Sequence, residues 1–253
     1  MGLHDLESCS DDQIRQGAAL AKSLGTGIHL HCSESEHSLS ATRERTGRTP
    51  IAQLRSLGAL TDRTILAHCV WVDAKDRQLL KAKGSHVAHC PHANLKLGSG
   101  IAPIAELEAD GVNITLGTDG AKANNRLDMF DVMKFASLLH KGIARDPGLL
   151  PAPRILDMAT RNSAHALGMP GLGIIDVGMS ADLVTVRCDE FHLQPATPET
   201  IVSNLIHAAR GSDVSLVMVE GEVIVRDGQL LADRGGEMRR QARNVGISLL
   251  NRH

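Results

Sequence analysis

The chain has 253 residues, with 27 basic against 29 acidic side chains and a formal charge of −2. That balance supplies neither a basic stripe for nucleic acid nor an acidic tail, while 42% hydrophobic residues suffice for a sizeable core. No apolar run approaches the ~20 residues of a bilayer span, and "MGLHDLESCSDD" lacks the basic-then-apolar order of a signal peptide. Membrane and nucleic-acid partners are therefore not expected, and a cytoplasmic location is. The five cysteines (Cys9, Cys32, Cys69, Cys90, Cys188) are scattered and never form C-x-x-C. They read as free thiols, not as a disulfide framework or a cysteine zinc site. Histidine is abundant, at 13, while tyrosine is absent.

The first predicted element is a helix, "SDDQIRQGAALAKSLG". Ser10 stands as N-cap with Gln13 three residues on, a capping-box spacing, and Gly25 closes it. A short strand follows in "TGIHLHCSE". Thr49 then caps a helix in "TPIAQLRSLGAL", with Pro50 at its first position. "RTILAHCVW" reads as a strand, "DAKDRQLLKAKG" as a helix and "SHVAHCPH" as a third strand. "IAPIAELEADG" is a helix and "VNITLGTDG" a fourth strand. "LDMFDVMKFASLLHKG" and "PAPRILDMATRNSAHALG" each read as one helix. Strands alternating with helices mean βα units and a parallel sheet.

After Gly168 the pattern changes. "GIIDVGMSADLVTVRCD" and "SDVSLVMVEGEVIVRDGQLLAD" predict short antiparallel strands, with turns at Glu220-Gly221 and Asp227-Gly228. "EMRRQARNVGISLLNR" closes the chain as a helix. Three units are expected: residues 1–168, 169–233 and 234–253.

The residues able to do chemistry fall at strand ends. His29 and His31 share a strand face, being two apart, with Glu34 just beyond. His68 ends the second strand, His89 lies on the third and Asp119 ends the fourth. In parallel βα architectures the C-terminal strand ends form the active face. Imidazole and carboxylate together suit zinc or iron. A bound metal would acidify its water, and Glu34 could carry the proton. His86, His89 and His92, spaced by three, would alternate faces on a strand and read as structural. His37, His140, His165, His192, His207 and His253 read as ordinary hydrogen-bonded residues.

"GIHLHCSESE", "TILAHCVWVD", "VAHCPHANLKLGSGIAPI" and "LGTDGAKANNRLDMF" resemble successive motifs of the amidohydrolase superfamily. The nearest branch holds the triazine chlorohydrolases and the adenosine-, S-adenosylhomocysteine- and guanine-type deaminases. "ADLVTV" and "GSDVSLVMVEGEVIVRDGQLL" resemble the tail of the same family, so the likeness runs from about Gly2 to Leu231. It implies a TIM (β/α)8 barrel with a small β-sandwich. It also implies one divalent metal, zinc before iron, a small heterocyclic substrate, and a homodimer. By position, His31 would be a metal ligand on barrel strand five and Glu34 the proton shuttle. His68 on strand six would hold the water or the substrate oxygen. Asp119 on strand eight would bind metal and accept the water proton. His4 and Asn94 would touch substrate. Two departures from the family stand out: Asp5, Leu6 and Glu7 follow His4 where small or aromatic residues are usual, and "PHAN" replaces Pro-Arg-Ser-Asn.

The resemblance includes a first-strand His-x-His, and "HLH" at 29–31 is not it. Residues 32–118 separate His31 from Asp119, which is 87 residues. Six βα units would need roughly 180 at about 30 each. Two intervening strands fit instead, so "HLH" belongs to strand five. The expected fold is α/β: the second half of an incomplete barrel, about strands four to eight, followed by part of the sandwich. Three origins are open: a fragment of a longer frame, a half completed by another chain, or a remnant.

The leading function is hydrolytic deamination of an aminated heterocycle by a metal-activated water. The alternatives are a C–Cl hydrolase of the same family and a non-catalytic assembly protein. A cytidine-deaminase site is excluded because P-C-x-x-C is missing. Phosphate-binding glycine loops are excluded by spacing.

Overall fold

The computed structural model describes residues 1–233 and 236–250. Its first half alternates helix and strand: α1 (Asp11–Ser23), β1 (Ile28–Cys32), α2 (Glu36–Thr46), α3 (Pro50–Ser56), β2 (Thr64–His68), α4 (Ala74–Lys83), β3 (His86–His89), α5 (Pro91–Lys96), α6 (Ile104–Ala109) and β4 (Asn113–Leu116). Four helices follow: α7 (Ala121–Asn124), α8 (Met129–Ala144), α9 (Ala152–Ala159) and α10 (Arg161–Leu167). The second half holds β5 (Leu183–Val186), α11 (Ile201–His207), β6 (Val214–Val219), β7 (Glu222–Arg226), β8 (Gln229–Leu230) and α12 (Glu237–Leu250).

The capping signals act as their chemistry dictates. The Ser10 hydroxyl accepts from Gln13 N while the Gln13 side chain accepts from Ser10 N, a complete capping box. Thr49 caps α3 ahead of Pro50, and Asp73 caps α4 through its own box with Asp76. One expectation fails where "PAPRILDMATRNSAHALG" breaks into α9 and α10. Thr160, at φ −122 and ψ −90, leaves the helical region between them. The third strand also stops short, because Pro91 has no N–H for a ladder and starts α5. His92 is thus helical, not a strand residue.

β1 to β4 form a parallel sheet in sequential order. Residues 1–4 run along the free edge of β1, bonded through Leu3 N to His29 O, His29 N to Met1 O and His31 N to His4 O at 2.9–3.0 Å. β2 and β3 are buried along their whole length, as parallel strands covered on both faces are. The register alternates two kinds of row. Leu30, Leu66, Val87 and Ile114 lie side by side and pack under the helices. Each such fully buried Leu, Val or Ile stabilises the fold by about 1.5–3 kcal/mol. The neighbouring row on the opposite face is His31, Ala67, Ala88 and Thr115. Two alanines beside the histidine leave space, and that space is the site.

β5 to β8 form a separate antiparallel sheet, also in sequential order. Both hairpin turns fall where expected. Glu220-Gly221 and Asp227-Gly228 all take positive φ, the type I′ geometry that matches strand twist. α12 closes the described chain; His253, like residues 234, 235, 251 and 252, lies outside the described residues.

Candidate active site

The C-terminal ends of the parallel strands carry strained turns. Ser33, His68, Cys69 and Asp119 all adopt positive φ, between 47° and 76°. Non-glycine residues held this way cost roughly 1–3 kcal/mol each, and they cluster where geometry serves function. The turns aim side chains across the ends of their own strands.

His31 is fixed from behind, its Nδ1 donating to the His4 carbonyl at 2.8 Å. The other nitrogen, Nε2, is then bare, as a metal-binding imidazole requires. The His68 ring stacks on His31 at 5.4 Å between centroids and 14° between planes. His68 is buried, and its Nδ1 lies 2.8 Å from Asn94 Oδ1. A carboxamide oxygen only accepts, so Nδ1 carries the proton and Nε2 is free. Glu34 Oε2 lies 3.7 Å from that Nε2, and Ser99 Oγ reaches Glu34 Oε1 at 3.4 Å. On the other side the His4 ring sits 4.9 Å from that of His31, with Asp5 Oδ2 2.6 Å from His4 Nδ1. Asp5, His4, His31, His68 and Glu34 therefore form one row: three imidazoles between two carboxylates.

Asp119 faces the same cavity of about 410 Å³, together with His29, His31, His68, Cys90, Thr115 and Thr118. One Asp119 oxygen accepts from Gly120 N at 2.5 Å, which leaves the other open. The loop after Asp119 is pinned by α5, where Lys96 Nζ donates to Lys122 O at 2.8 Å and to Asn125 Oδ1. His31, His68 and Asp119 thus line one cavity, while Glu34 and Asn94 adjoin it through His68 and His4 through His31. Asn94 is 1% exposed behind His68, and its Oδ1 accepts from that ring. The sequence reading missed Lys96 and Ser99, and Asp5 it noted only as a departure from pattern. It also read His140 as ordinary, yet His140 Nε2 lies 3.0 Å from His89 Nε2 inside the fold.

Electrostatics narrow the chemistry. Burial, reinforced by the Asp119 charge, pushes the Cys90 thiol up to about 12. The hydrogen bond with Cys32 and burial raise Cys69 as well. Both therefore stay protonated, and neither serves as a thiolate nucleophile. Burial, then the neighbouring His31 and His68 charges, holds His29 below the usual histidine range. Burial works to raise Asp5, but the Ser8 and His4 bonds outweigh it and hold its carboxyl low. Among the described residues, the five cysteines are all unpaired, and no helix is long and apolar enough to cross a membrane.

The parallel α/β sheet thus carries imidazoles and carboxylates together at its strand ends. The chain belongs to the amidohydrolase family, whose sequence model matches residues 1–224. It is 41% identical over 231 residues to the 5-methylthioadenosine/S-adenosylhomocysteine deaminase of Moorella thermoacetica, covering 91% of this chain and 54% of that protein. It is also 41% identical to the 5′-deoxyadenosine deaminase of Methanothermobacter thermautotrophicus, covering 91% of this chain and 53% of the relative. Among solved structures, a zinc-bound adenosine deaminase from Xanthomonas campestris superposes with a TM-score of 0.94 at 32% identity, over 99% of this chain and 57% of the other. The zinc complex of atrazine chlorohydrolase from Arthrobacter aurescens TC1 gives 0.82 at 29% identity, over 91% and 51%. The chain spans about half the length of the curated relatives it matches.

Proposed function

We propose that the protein carrying this chain is a metal-dependent hydrolase that deaminates an adenosine-type nucleoside. The observation that carries this is His68, locked by Asn94 with its free Nε2 toward Glu34. A proton relay is built at the end of the strand beside His31. The deaminase relatives support the purine reading.

His31 and Asp119 would hold one divalent metal, zinc before iron. The fit is chemical: His31 offers a neutral nitrogen whose partner atom is already bonded, and Asp119 keeps one oxygen open. When bound, the metal supplies a water that loses its proton near neutral pH. Asp119 accepts that proton. Glu34, entering protonated, would give its proton to the amino nitrogen, which leaves as ammonia while the water oxygen takes its place on the ring; the proton taken up by Asp119 would then return to Glu34 through solvent and restore the site. His68 Nε2 holds the incoming oxygen in line, and His4 contacts the substrate from the rim.

Two ligands do not complete a zinc sphere, which takes four. We infer that the β1–β4 sheet, with the edge at residues 1–4, is barrel strands four to eight. Residues 169–233 are then part of a β-sandwich, and α12 (Glu237–Leu250) is a closing helix. The remaining ligands would come from the part of the relatives that this chain does not span. A homodimer and a cytoplasmic location complete the proposal. The chlorohydrolase and non-catalytic readings are less favoured, because the relatives described above at 41% identity are deaminases.

The test is ammonia release from adenosine, 5′-deoxyadenosine, 5′-methylthioadenosine and S-adenosylhomocysteine by the zinc-loaded protein. Chloride release from atrazine without any ammonia would establish the runner-up. Neither product, from protein with stoichiometric zinc, would overturn both.

A further inference from the structure

We propose that Asp5 is a positioning residue that sets the tautomer of His4, so that His4 meets its ligand as a hydrogen-bond acceptor. The inference rests on the functional reading only for the identity of the ligand; the tautomer follows from contacts in the chain.

Asp5 splits its work between two oxygens. Oδ1 accepts from Ser8 N and Ser8 Oγ at 2.6 Å and from Glu7 N at 3.0 Å. These bonds close the turn after residue 4 and fix the carboxylate. Oδ2 is left for one partner, His4 Nδ1 at 2.6 Å, with Ser8 Oγ 3.0 Å from the same nitrogen. A carboxylate can only accept, so the proton sits on His4 Nδ1. Nε2 then carries a lone pair. The His4 side chain is 69% exposed, so that lone pair is open to a ligand while the backbone carbonyl of the same residue anchors His31. His4 therefore serves the site twice, its carbonyl holding one imidazole and its own ring offering an acceptor. The ligand group it fits is an O–H or N–H donor, such as a sugar hydroxyl. With a small apolar residue in place of Asp5, nothing would choose between the two tautomers, so the departure at this position has a chemical consequence.

Asp5→Asn is the appropriate perturbation. Its Oδ1 still accepts from Glu7 N and Ser8 N, so the turn survives. Its amide group now faces Nδ1 as a donor and reverses the preference. Nitrogen-15 NMR of the full-length protein at pH 8, with His4 assigned through His4→Gln, reads the tautomer without any activity. The expected result is Nδ1–H in the native protein and Nε2–H in Asp5→Asn. In steady-state assays on adenosine-type substrates the loss should fall on KM, roughly 3- to 10-fold, which is the weight of one hydrogen bond. In the His4→Gln background, Asp5→Asn should add nothing further. Nε2–H in the native protein would overturn the proposal, as would an inverted tautomer with unchanged KM. A loss confined to kcat, or full additivity with His4→Gln, would also overturn it. A protein inactive on every nucleoside would instead sink the deaminase reading, and the NMR result would decide the role of Asp5 alone.

Discussion

The buried His89–His140 pair makes acid stability a sharp test of the packing between β3 and α8. Both rings lie within the fold, 1% and 5% exposed, with their Nε2 atoms 3.0 Å apart. Burial pushes His140 from the usual 6.5 down to about 4, against a weak opposing pull from Glu106. Burial, then the His140 charge, lowers His89 further in the same direction. Both rings are therefore neutral when folded and take up protons readily when unfolded. The unfolded chain binds more protons below pH 6.5, so stability is fully present above that value and falls on acidification. At 1.36 kcal/mol per unit, the His140 displacement of about 2.5 units is worth about 3 kcal/mol by pH 4. Urea unfolding of the native protein and of His140→Gln at pH 7, 6, 5 and 4 measures it. Glutamine keeps a polar partner for His89 but has no proton to gain. The variant should lose about 3 kcal/mol less than the native protein between pH 7 and pH 4. Parallel stability curves, within about 0.5 kcal/mol across that range, would show that the pair is not held neutral by the fold.

Glu34→Gln should lower kcat roughly 10²- to 10⁴-fold, the weight of a general acid–base group. Zinc content, read by elemental analysis, should not change. Asn94→Ala frees His68 Nδ1 and should cost roughly 10- to 100-fold in kcat/KM, as loss of an outer partner does; steady-state kinetics on the best nucleoside decides it. Gly27→Ala would place a methyl 2.2 Å from the Arg63 carbonyl at the start of the β1–β2 ladder. A backbone clash has no side chain to yield, so roughly 2 kcal/mol or more of stability should be lost in urea melts.

Much of this architecture was legible because its determinants are local. Ser10 with Gln13, Thr49 with Pro50, and the two Glu-Gly and Asp-Gly turns each specify a backbone conformation within four residues. The strand-end histidines could be placed because strand period and βα spacing are fixed by geometry. What was missed is long-range. Thr160 breaks a helix whose sequence reads as continuous, its backbone leaving the helical region at φ −122 and ψ −90 although no glycine or proline marks the place. His140 gave no sign of its partner, 51 positions away on another element. Asn94 likewise gave no sign of its hydrogen bond to His68, 26 positions away on another element.

The short helix α5 carries Asn94 against His68 and Lys96 against the loop after Asp119. One strand end and one distant loop are thereby referenced to six residues of chain. Length changes would be absorbed harmlessly at the exposed hairpin tips of the antiparallel sheet. A single insertion between Cys90 and Asn94 would rotate Asn94 and Lys96 together, and the supports of His68 and of the loop after Asp119 would slip out of register at once. Natural variation in this protein should therefore accumulate as added loop length everywhere except there.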